Sequence, residues 1–156
     1  WDLSPHTIEL LIDAGFRYDS SMMGHDNSPY YARVGDVVHA DGPFEFGRAT
    51  SLVEMPISWS LDDYPHFEFA RSGDVLYPGL QNASGVLENW VGDFEFMVKH
   101  TEWGVLTYTC HPYVIGRGHR LLMLERLIEK LKDLGAVFLT VEAVAEEYAA
   151  RTAVTP

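Results

Sequence analysis

The sequence has 156 residues, of which 47% are hydrophobic and 22% charged, and its formal net charge is −12. This composition predicts a folded globular domain, because the apolar content is enough to offset the entropy lost when the chain is ordered. A strongly negative chain offers no positive surface, so we expect no nucleic-acid partner and no binding to an anionic membrane. No apolar run approaches the roughly 20 residues that a membrane-spanning helix needs.

The first half of the chain predicts a helix followed by a strand. Ser4 and Pro5 are typical of a helix start, and Gly15 stands where a helix would end. Residues 16–20 alternate in polarity and predict a short strand. Residues 22–51 hold four glycines, two prolines and three aspartates, so we predict an irregular loop of the kind that often binds ligands.

The second half of the chain alternates strands with amphipathic helices. In chain order, it predicts a strand over 52–59, a helix over 87–98, a strand over 104–110, a helix over 121–134, a strand over 136–139 and a helix over 141–148. Strands that alternate with helices of this length predict parallel β-α-β units.

The predicted fold class is therefore α/β, an incomplete (β/α) barrel with about four parallel strands and flanking helices. Four strands are too few to close a barrel, which takes about eight. An open half-barrel would expose unpaired strand edges and apolar faces. We therefore expect residues 1–156 to be part of one domain that is completed either by a missing N-terminal half or by assembly into a homo-oligomer.

The cellular compartment is indicated only indirectly. A single cysteine, Cys110, excludes an internal disulfide and leaves the redox compartment open. No signal peptide is visible, and we expect a cytoplasmic protein. The chain opens at Trp1 rather than at methionine, which indicates a processed product or a partial sequence.

Candidate chemistry lies directly after two of the predicted strands. Residues 62–64 (Asp-Asp-Tyr) follow the strand over 52–59, and residues 111–113 (His-Pro-Tyr) follow the strand over 104–110. Active residues of parallel α/β folds lie at the carboxyl ends of strands, and a histidine beside a carboxylate can act as a general acid or base. The alternatives are a loop-bonding histidine and aspartates that cap a turn.

Spacing alone predicts neither a metal site nor a serine nucleophile. No two of the seven histidines are four residues apart, so no pair shares a helix face as in a helical zinc motif. The chain has no G-x-S-x-G elbow of a serine hydrolase. Aromatic residues near the candidate loops favour stacking on sugar rings, with mutual packing of the loops as the alternative.

Five segments occur in an order that resembles a known family. They read WDLSP at 1–5, AGFRYDSS at 14–21, LVEMPI at 52–57, LDDY at 61–64 and HPYVIGR at 111–117. They resemble the polysaccharide deacetylase superfamily, also called carbohydrate esterase family four. The last three segments are similar to its peptidoglycan-deacetylase and allantoinase-like branch.

The resemblance implies a deformed (β/α) barrel that hydrolyses an N-acetyl or related amide with a metal-bound water. It implies a divalent metal, zinc, which an aspartate and two histidines hold while a second aspartate acts as the base. In the family those positions precede the segment that Trp1 matches. We therefore expect no metal ligand within this chain.

The resemblance also implies roles for five residues of this chain. His111 matches the acid that protonates the leaving amine, and Asp63 matches the carboxylate that orients this acid. Trp1, Tyr64 and Pro112 match positions that line the substrate groove. Tyr64 stands where the family usually carries tryptophan, which alters the shape of that groove.

We therefore predict a polysaccharide-deacetylase-type hydrolase that acts on a linear, non-peptide C–N bond, such as an N-acetyl group on a sugar. The expected partner is a small-molecule or glycan substrate. Without the upstream ligands, the chain alone is expected to lack zinc-dependent activity. The alternatives are a non-catalytic half-barrel for glycan binding or assembly, an allantoinase-like activity and a metal-free serine esterase.

Overall fold

The structure is a computed structural model, and it describes residues 3–68, 70–77 and 79–152. In chain order, the elements are α1 (Thr7–Asp13), β1 (Tyr18–Asp19), β2 (Tyr30–Val34), β3 (Arg48–Glu54), a 3-10 turn (Trp59–Leu61), α2 (Asp63–Phe67), β4 (Ala70–Ser72), β5 (Val75–Tyr77), α3 (Ala83–His100), α4 (Pro112–Ile115), α5 (Gly118–Asp133) and α6 (Val141–Arg151). The chain divides into two compact units. The first unit combines Trp1–Pro56 with Leu139–Pro156, and the second is Ile57–Phe138.

The first unit is built on a three-stranded sheet with the order β1-β3-β2. β1 runs parallel to β3, with Asp19 opposite Glu54, whereas β2 runs antiparallel to β3. Val53 and Met55 pack with Ala145 of α6 in a small core. Two tyrosines close this core, and the Tyr31 and Tyr148 rings lie with their centroids 5.4 Å apart.

A fully buried carboxylate stands at the carboxyl end of β3. Glu54 Oε1 accepts the backbone N–H groups of Ser21 and Met22, both at 2.6 Å. Among the described residues, Glu54 Oε2 and Asp19 Oδ2 have no hydrogen-bond partner. Burial, with a smaller contribution from Asp19, raises the pKa of Glu54 from its ordinary value of 4.5 to about 7. The side chain is therefore protonated in part near neutral pH.

The prediction of an irregular segment over 22–51 is wrong in two places. Residues 30–34 form β2, and β3 begins at Arg48 rather than at Leu52. β2 is short and antiparallel, and its register shifts between Tyr31 and Arg33. Its sequence therefore lacks the regular pattern by which a strand is recognised. The remainder of the segment has the loop character that its composition predicts.

The second unit is built on two long helices. α3 begins after Asn82, whose side chain accepts the Ser84 N–H, as expected of an N-cap residue. α3 and α5 pack through apolar stripes that include Trp90 and Leu127, both almost fully buried. These helices match the predicted helices over 87–98 and 121–134 within a few residues. An antiparallel hairpin of β4 and β5 joins α2 to α3.

The mixed α/β class is confirmed. The described residues do not, however, form the predicted set of about four parallel strands. They contain one parallel ladder, between β1 and β3. Residues 104–110 make a single parallel bridge, between Asp62 and Thr109, and no ladder. Residues 136–139 are also outside any strand. A ladder requires a run of paired neighbours, and the described residues supply only that one pair.

Among the helices in the described part of the chain, none combines the length and the apolar character of a membrane-crossing segment.

Candidate functional site

The candidate site lies in the second unit, where a short turn leads into α2. The turn is anchored to the core, because the Ser60 carbonyl accepts the indole N–H of the fully buried Trp90 at 2.8 Å. The same carbonyl lies 2.8 Å from Nε2 of His66. Two aspartates follow this anchored turn, so their backbone starts from a fixed position.

Asp62 and Asp63 begin α2 and are both buried. Asp62 is the N-cap residue, and its Oδ1 accepts the Tyr64 N–H at 2.7 Å. Aspartate is favoured at this position because it satisfies a backbone donor that the helix leaves unpaired. Asp63 occupies the first turn, where a negative charge is stabilised by the helix dipole.

Backbone hydrogen bonds bring the segment before His111 alongside the two aspartates. The Thr109 N–H donates to the Leu61 carbonyl at 2.9 Å, and the Asp63 N–H donates to the Thr109 carbonyl at 3.0 Å. His111 follows two residues later as the N-cap residue of α4, with Pro112 at the first helical position. The register of this short parallel bridge therefore sets which side chain meets Asp63.

Asp63 and His111 are in direct contact. Asp63 Oδ1 lies 2.7 Å from the ring Nδ1, and Asp63 Oδ2 accepts the backbone N–H of His111 at 2.9 Å. A carboxylate accepts hydrogen bonds only, so Nδ1 carries a proton in this arrangement. The other ring nitrogen, Nε2, has no hydrogen-bond partner among the described residues. The His111 side chain is 36% exposed, whereas that of Asp63 is 0% exposed.

This geometry provides a group that can hold or release a proton at one defined atom. The buried carboxylate stabilises a positively charged imidazole and fixes its orientation. A second carboxylate adds to this field, since Asp62 Oδ1 lies 3.8 Å from Nδ1. Proton exchange with a bound molecule would take place at Nε2.

Asp62 also has a perturbed acidity. Burial raises the pKa of Asp62, and the negative charge of Asp63 acts in the same direction. The hydrogen bond from the Tyr64 N–H and the nearby His111 oppose this rise. The two adjacent aspartates thus have different roles: one caps a helix, and the other commits both its oxygens to His111.

Exposed side chains surround the imidazole. The Tyr64 and Tyr113 rings both meet it edge-on, with centroid distances of 5.8 and 5.9 Å. Both tyrosines are exposed, as is Pro112 beside them. The structure therefore brings four of the five candidate site residues to one place. The fifth, Trp1, lies outside the described residues.

Cys110 precedes His111 but is not an activated nucleophile. The thiol is half-buried against the core of the second unit. Burial, together with the negative charges of Asp63 and Asp62, raises the pKa of Cys110 to about 11. A protonated thiol is a weak nucleophile, so this residue has a packing role.

Asp62, Asp63 and His111 form a group whose potential ligand atoms lie within 4.8 Å of one another. They do not fit a zinc ion. Ligand atoms on a tetrahedral zinc, with bonds of about 2.0–2.1 Å, are about 3.3 Å apart. Asp63 Oδ1 and His111 Nδ1 are 2.7 Å apart and share a proton instead. Both oxygens of Asp63 are already used by His111.

Arg120, which was not among the predicted site residues, is 6% exposed and contacts both short helices of the site. Its contacts reach the ends of both α2 and α4. A sequence signal was available, since Arg120 is spaced like the buried Met123 and Leu127 on the apolar face of α5. A charged residue on such a face indicates a buried partner.

No family model matches the chain, but individual proteins are similar to it. The chain is 33% identical over 162 residues to the peptidoglycan deacetylase of Helicobacter pylori, and the alignment covers 97% of this chain and 55% of that protein. The chain thus spans about half the length of the curated relatives it matches.

Solved structures of related proteins are also similar to this chain. A crystal structure from Mycobacterium smegmatis, of a protein assigned as a polysaccharide deacetylase, is 30% identical with a TM-score of 0.75. The match covers 100% of this chain and 50% of that one. Puue allantoinase, at 21% identity and a TM-score of 0.69, covers 98% of this chain and 45% of its own, and it shows similarity of fold alone. The resemblance to polysaccharide deacetylases is confirmed along this chain.

Proposed function

We propose that residues 1–156 form the C-terminal portion of a polysaccharide-deacetylase-type hydrolase domain that removes an N-acetyl group from a sugar. The observation that carries the proposal is the contact between Asp63 and Nδ1 of His111, whose side chain is 36% exposed. The similarity to a peptidoglycan deacetylase supports this substrate class. The substrate is a glycan or a small molecule with a linear C–N bond.

In the proposed reaction, His111 is the general acid. The nitrogen of an amide is a poor leaving group until it is protonated, and a positioned imidazolium can supply that proton from Nε2. Asp63 holds Nδ1–H, which keeps the ring oriented and stabilises its positive charge before transfer. A positioned acid of this kind accelerates a reaction by about 10²–10⁴-fold.

The attack of water on the amide carbonyl requires catalytic groups other than Asp63 and His111. We propose that the whole domain uses a divalent metal, zinc, whose ligands lie outside residues 1–156. This agrees with the poor fit of Asp62, Asp63 and His111 to such an ion. The isolated chain is then expected to show little metal-stimulated hydrolysis.

The substrate groove is proposed to run past the exposed tyrosines. Tyr64 and Tyr113 present rings on either side of His111, and flat rings can cover the apolar face of a sugar. Pro112 extends the same exposed surface. We propose that Trp1 also lines the groove, on the strength of its sequence match alone.

The proposed architecture is an incomplete (β/α) barrel within a single domain. Residues 104–110 and 136–139, both predicted as strands, form no ladder with the described segments beyond the bridge at Thr109. Val137 and Phe138 are 77% and 55% exposed, as expected of a strand whose neighbouring strands are absent from this chain. The missing neighbours are proposed to come from an N-terminal half or from another copy of the chain. The cytoplasm stays the proposed compartment.

The test is acetate release from an N-acetylated chitooligosaccharide by the full-length protein and its His111→Gln variant. The proposal expects a loss of about 10²–10⁴-fold in kcat, because the acid is removed. His100→Gln is the matched control, since His100 is exposed at the end of α3 and its ring contacts Phe96, which is not a site residue. An unchanged rate in His111→Gln would refute the role of His111.

The same proteins separate the alternatives. Glycan binding without any hydrolysis would favour a non-catalytic half-barrel. Hydrolysis of a ureide in place of the N-acetyl sugar would favour an allantoinase-like activity. Labelling by a fluorophosphonate probe would indicate a serine esterase.

A further inference from the structure

Arg120 connects α5 to both of the short helices that carry the acid pair. Its Nη1 donates to the Val114 carbonyl at 2.8 Å, and its Nη2 donates to the Phe67 carbonyl at 3.1 Å. Phe67 is the last residue of α2, and Val114 lies in the last turn of α4. One guanidinium therefore binds the C-terminal end of each short helix.

Two further contacts hold the guanidinium in place. Glu68, directly after α2, accepts a hydrogen bond from Nη1 at 3.2 Å. The Arg120 carbon Cζ lies 4.8 Å from the centre of the Phe67 ring, which is a cation–π contact. The planar fork of an arginine spreads its donors over two carbonyls and a carboxylate, whereas the three donors of a lysine all lie on one nitrogen.

These contacts fall where α2 and α4 are weakest. The helices have five and four residues, and isolated helices this short are unstable in water. Their last carbonyls have no partner within the helix, and a cation at a helix C-terminus is favourable. α5, in contrast, is fixed in the core through Met123 and Leu127.

The opposite ends of the same helices carry the acid pair. Asp63 is the first residue of α2, and His111 directly precedes α4. The two helices are thus joined at one end by the Asp63–His111 contact and at the other end by Arg120. Phe67 and Val114 stay buried in the core without Arg120, so loss of the second link removes the polar restraint on these helix ends and loosens the hold on the hydrogen bond at Nδ1.

We propose that Arg120 is a positioning residue, which fastens the C-terminal ends of α2 and α4 to α5 and thereby keeps the Asp63 carboxylate on Nδ1 of His111. The proposal rests on the proposed function for its biological meaning, because there the pair is the acid. The residue acts through the pair and does not touch the substrate.

The test is heteronuclear NMR of the imidazole nitrogens in the isotope-labelled full chain, with the His111 signals assigned from His111→Gln. In the unmodified protein we expect a slowly exchanging proton on Nδ1 of His111. In Arg120→Met we expect that proton to exchange at least about tenfold faster. Loss of a hydrogen bond to a charged group changes an equilibrium constant by about tenfold or more. Arg120→Lys should give an intermediate result.

The matched control is Arg126→Met, because Arg126 is an exposed arginine on the same helix. It should leave the His111 signals unchanged. Circular dichroism and the methyl signals of Leu127 report whether each variant is folded. A folded Arg120→Met protein with the original tautomer and exchange rate would overturn the proposal. Global unfolding of both Arg120 variants would also overturn it, since Arg120 would then support the whole core.

The outcome is separable from that of the proposed function. Faster proton exchange in Arg120→Met together with full deacetylase activity would refute the acid role of His111 while leaving the positioning role intact. Unchanged exchange would refute the positioning role whatever the activity of the protein.

Discussion

Asp63 gives both of its carboxylate oxygens to a single residue, His111, one to the ring nitrogen Nδ1 at 2.7 Å and one to the backbone N–H at 2.9 Å. The ring is therefore held relative to its own backbone as well as to the carboxylate. This double contact removes the freedom of the side chain to present its other nitrogen to Asp63, and it makes the pair sensitive to small changes in the carboxylate.

Asp63→Asn is expected to abolish most of the activity of the full-length protein. An asparagine offers one acceptor oxygen where Asp63 uses two, so either the ring or the backbone N–H loses its partner. The ring then loses the carboxylate that orients it and stabilises its positive charge, and the same Asp-to-Asn change in a serine-protease triad costs about 10⁴-fold in kcat. Steady-state kinetics should show a fall in kcat of about 10²–10⁴-fold with little change in KM.

Asp62→Asn is the matched control for this prediction. An asparagine at the N-cap can still accept the Tyr64 N–H, which is the hydrogen bond that Asp62 makes. We expect the fall in kcat to stay below about tenfold, reflecting only the lost charge 3.8 Å from Nδ1. Equal losses in the two variants would contradict the different roles assigned to the two aspartates.

Tyr64→Ala should weaken the binding of a sugar substrate and leave the chemical step intact. Loss of one aromatic face costs about 1 kcal/mol, so KM is expected to rise about fivefold. Tyr64→Trp retains a flat ring and should keep KM within about twofold of the original value. A large fall in kcat for Tyr64→Ala, with KM unchanged, would show that the ring positions His111 instead.

Glu54 predicts a pH dependence of stability in the first unit. The pKa of Glu54 is about 7 in the folded protein, above its ordinary value of 4.5, so the folded state binds the proton more tightly than the unfolded state. Folding stability is therefore greatest below about pH 4.5 for this group and falls as the pH rises to about 7. The loss amounts to up to about 3 kcal/mol.

Glu54→Gln should remove this dependence, because the amide oxygen can still accept the Ser21 and Met22 N–H groups but does not titrate. Urea unfolding at several pH values should show the variant to be more stable than the original protein at pH 8 and similar to it at pH 4. Glu129→Gln, at an exposed position on α5, should keep the original slope. Identical slopes in all three proteins would contradict the prediction.

Cys110 should react slowly with alkylating reagents. A pKa of about 11 in place of 9.0 lowers the thiolate fraction at pH 8 by about a hundredfold. Mass spectrometry of iodoacetamide-treated protein should show labelling at least that much slower in the folded state than in urea. Equal rates would mean that the thiol is neither buried nor perturbed, which would contradict the packing role assigned to Cys110.

The helices could be predicted from the sequence because their apolar residues recur with a clear period. The segment 104–110 shows the limit of this approach. Its residues have the composition of a buried strand, but ladder pairing depends on a neighbour that is distant in sequence. β2 was missed for the converse reason, since its pairing with β3 is antiparallel and shifts in register near Arg33.

The candidate site was predictable in part. The rule that active residues follow parallel strands selects the neighbourhood of both Asp63 and His111 from the sequence. The double contact between them depends on the bridge between Asp62 and Thr109, which no local pattern encodes. Arg120 depends on tertiary packing in the same way, because its three hydrogen-bond partners come from two other helices and their termini.

The bridge between Asp62 and Thr109 makes the chain intolerant of length changes on either side of it. Successive residues in extended backbone face opposite ways, so one inserted or deleted residue between Thr109 and His111 would point the imidazole away from Asp63. A deletion between Leu61 and Asp63 would do the same to the carboxylate. Engineering of this protein can therefore exchange side chains around the bridge but has to preserve the residue count across it.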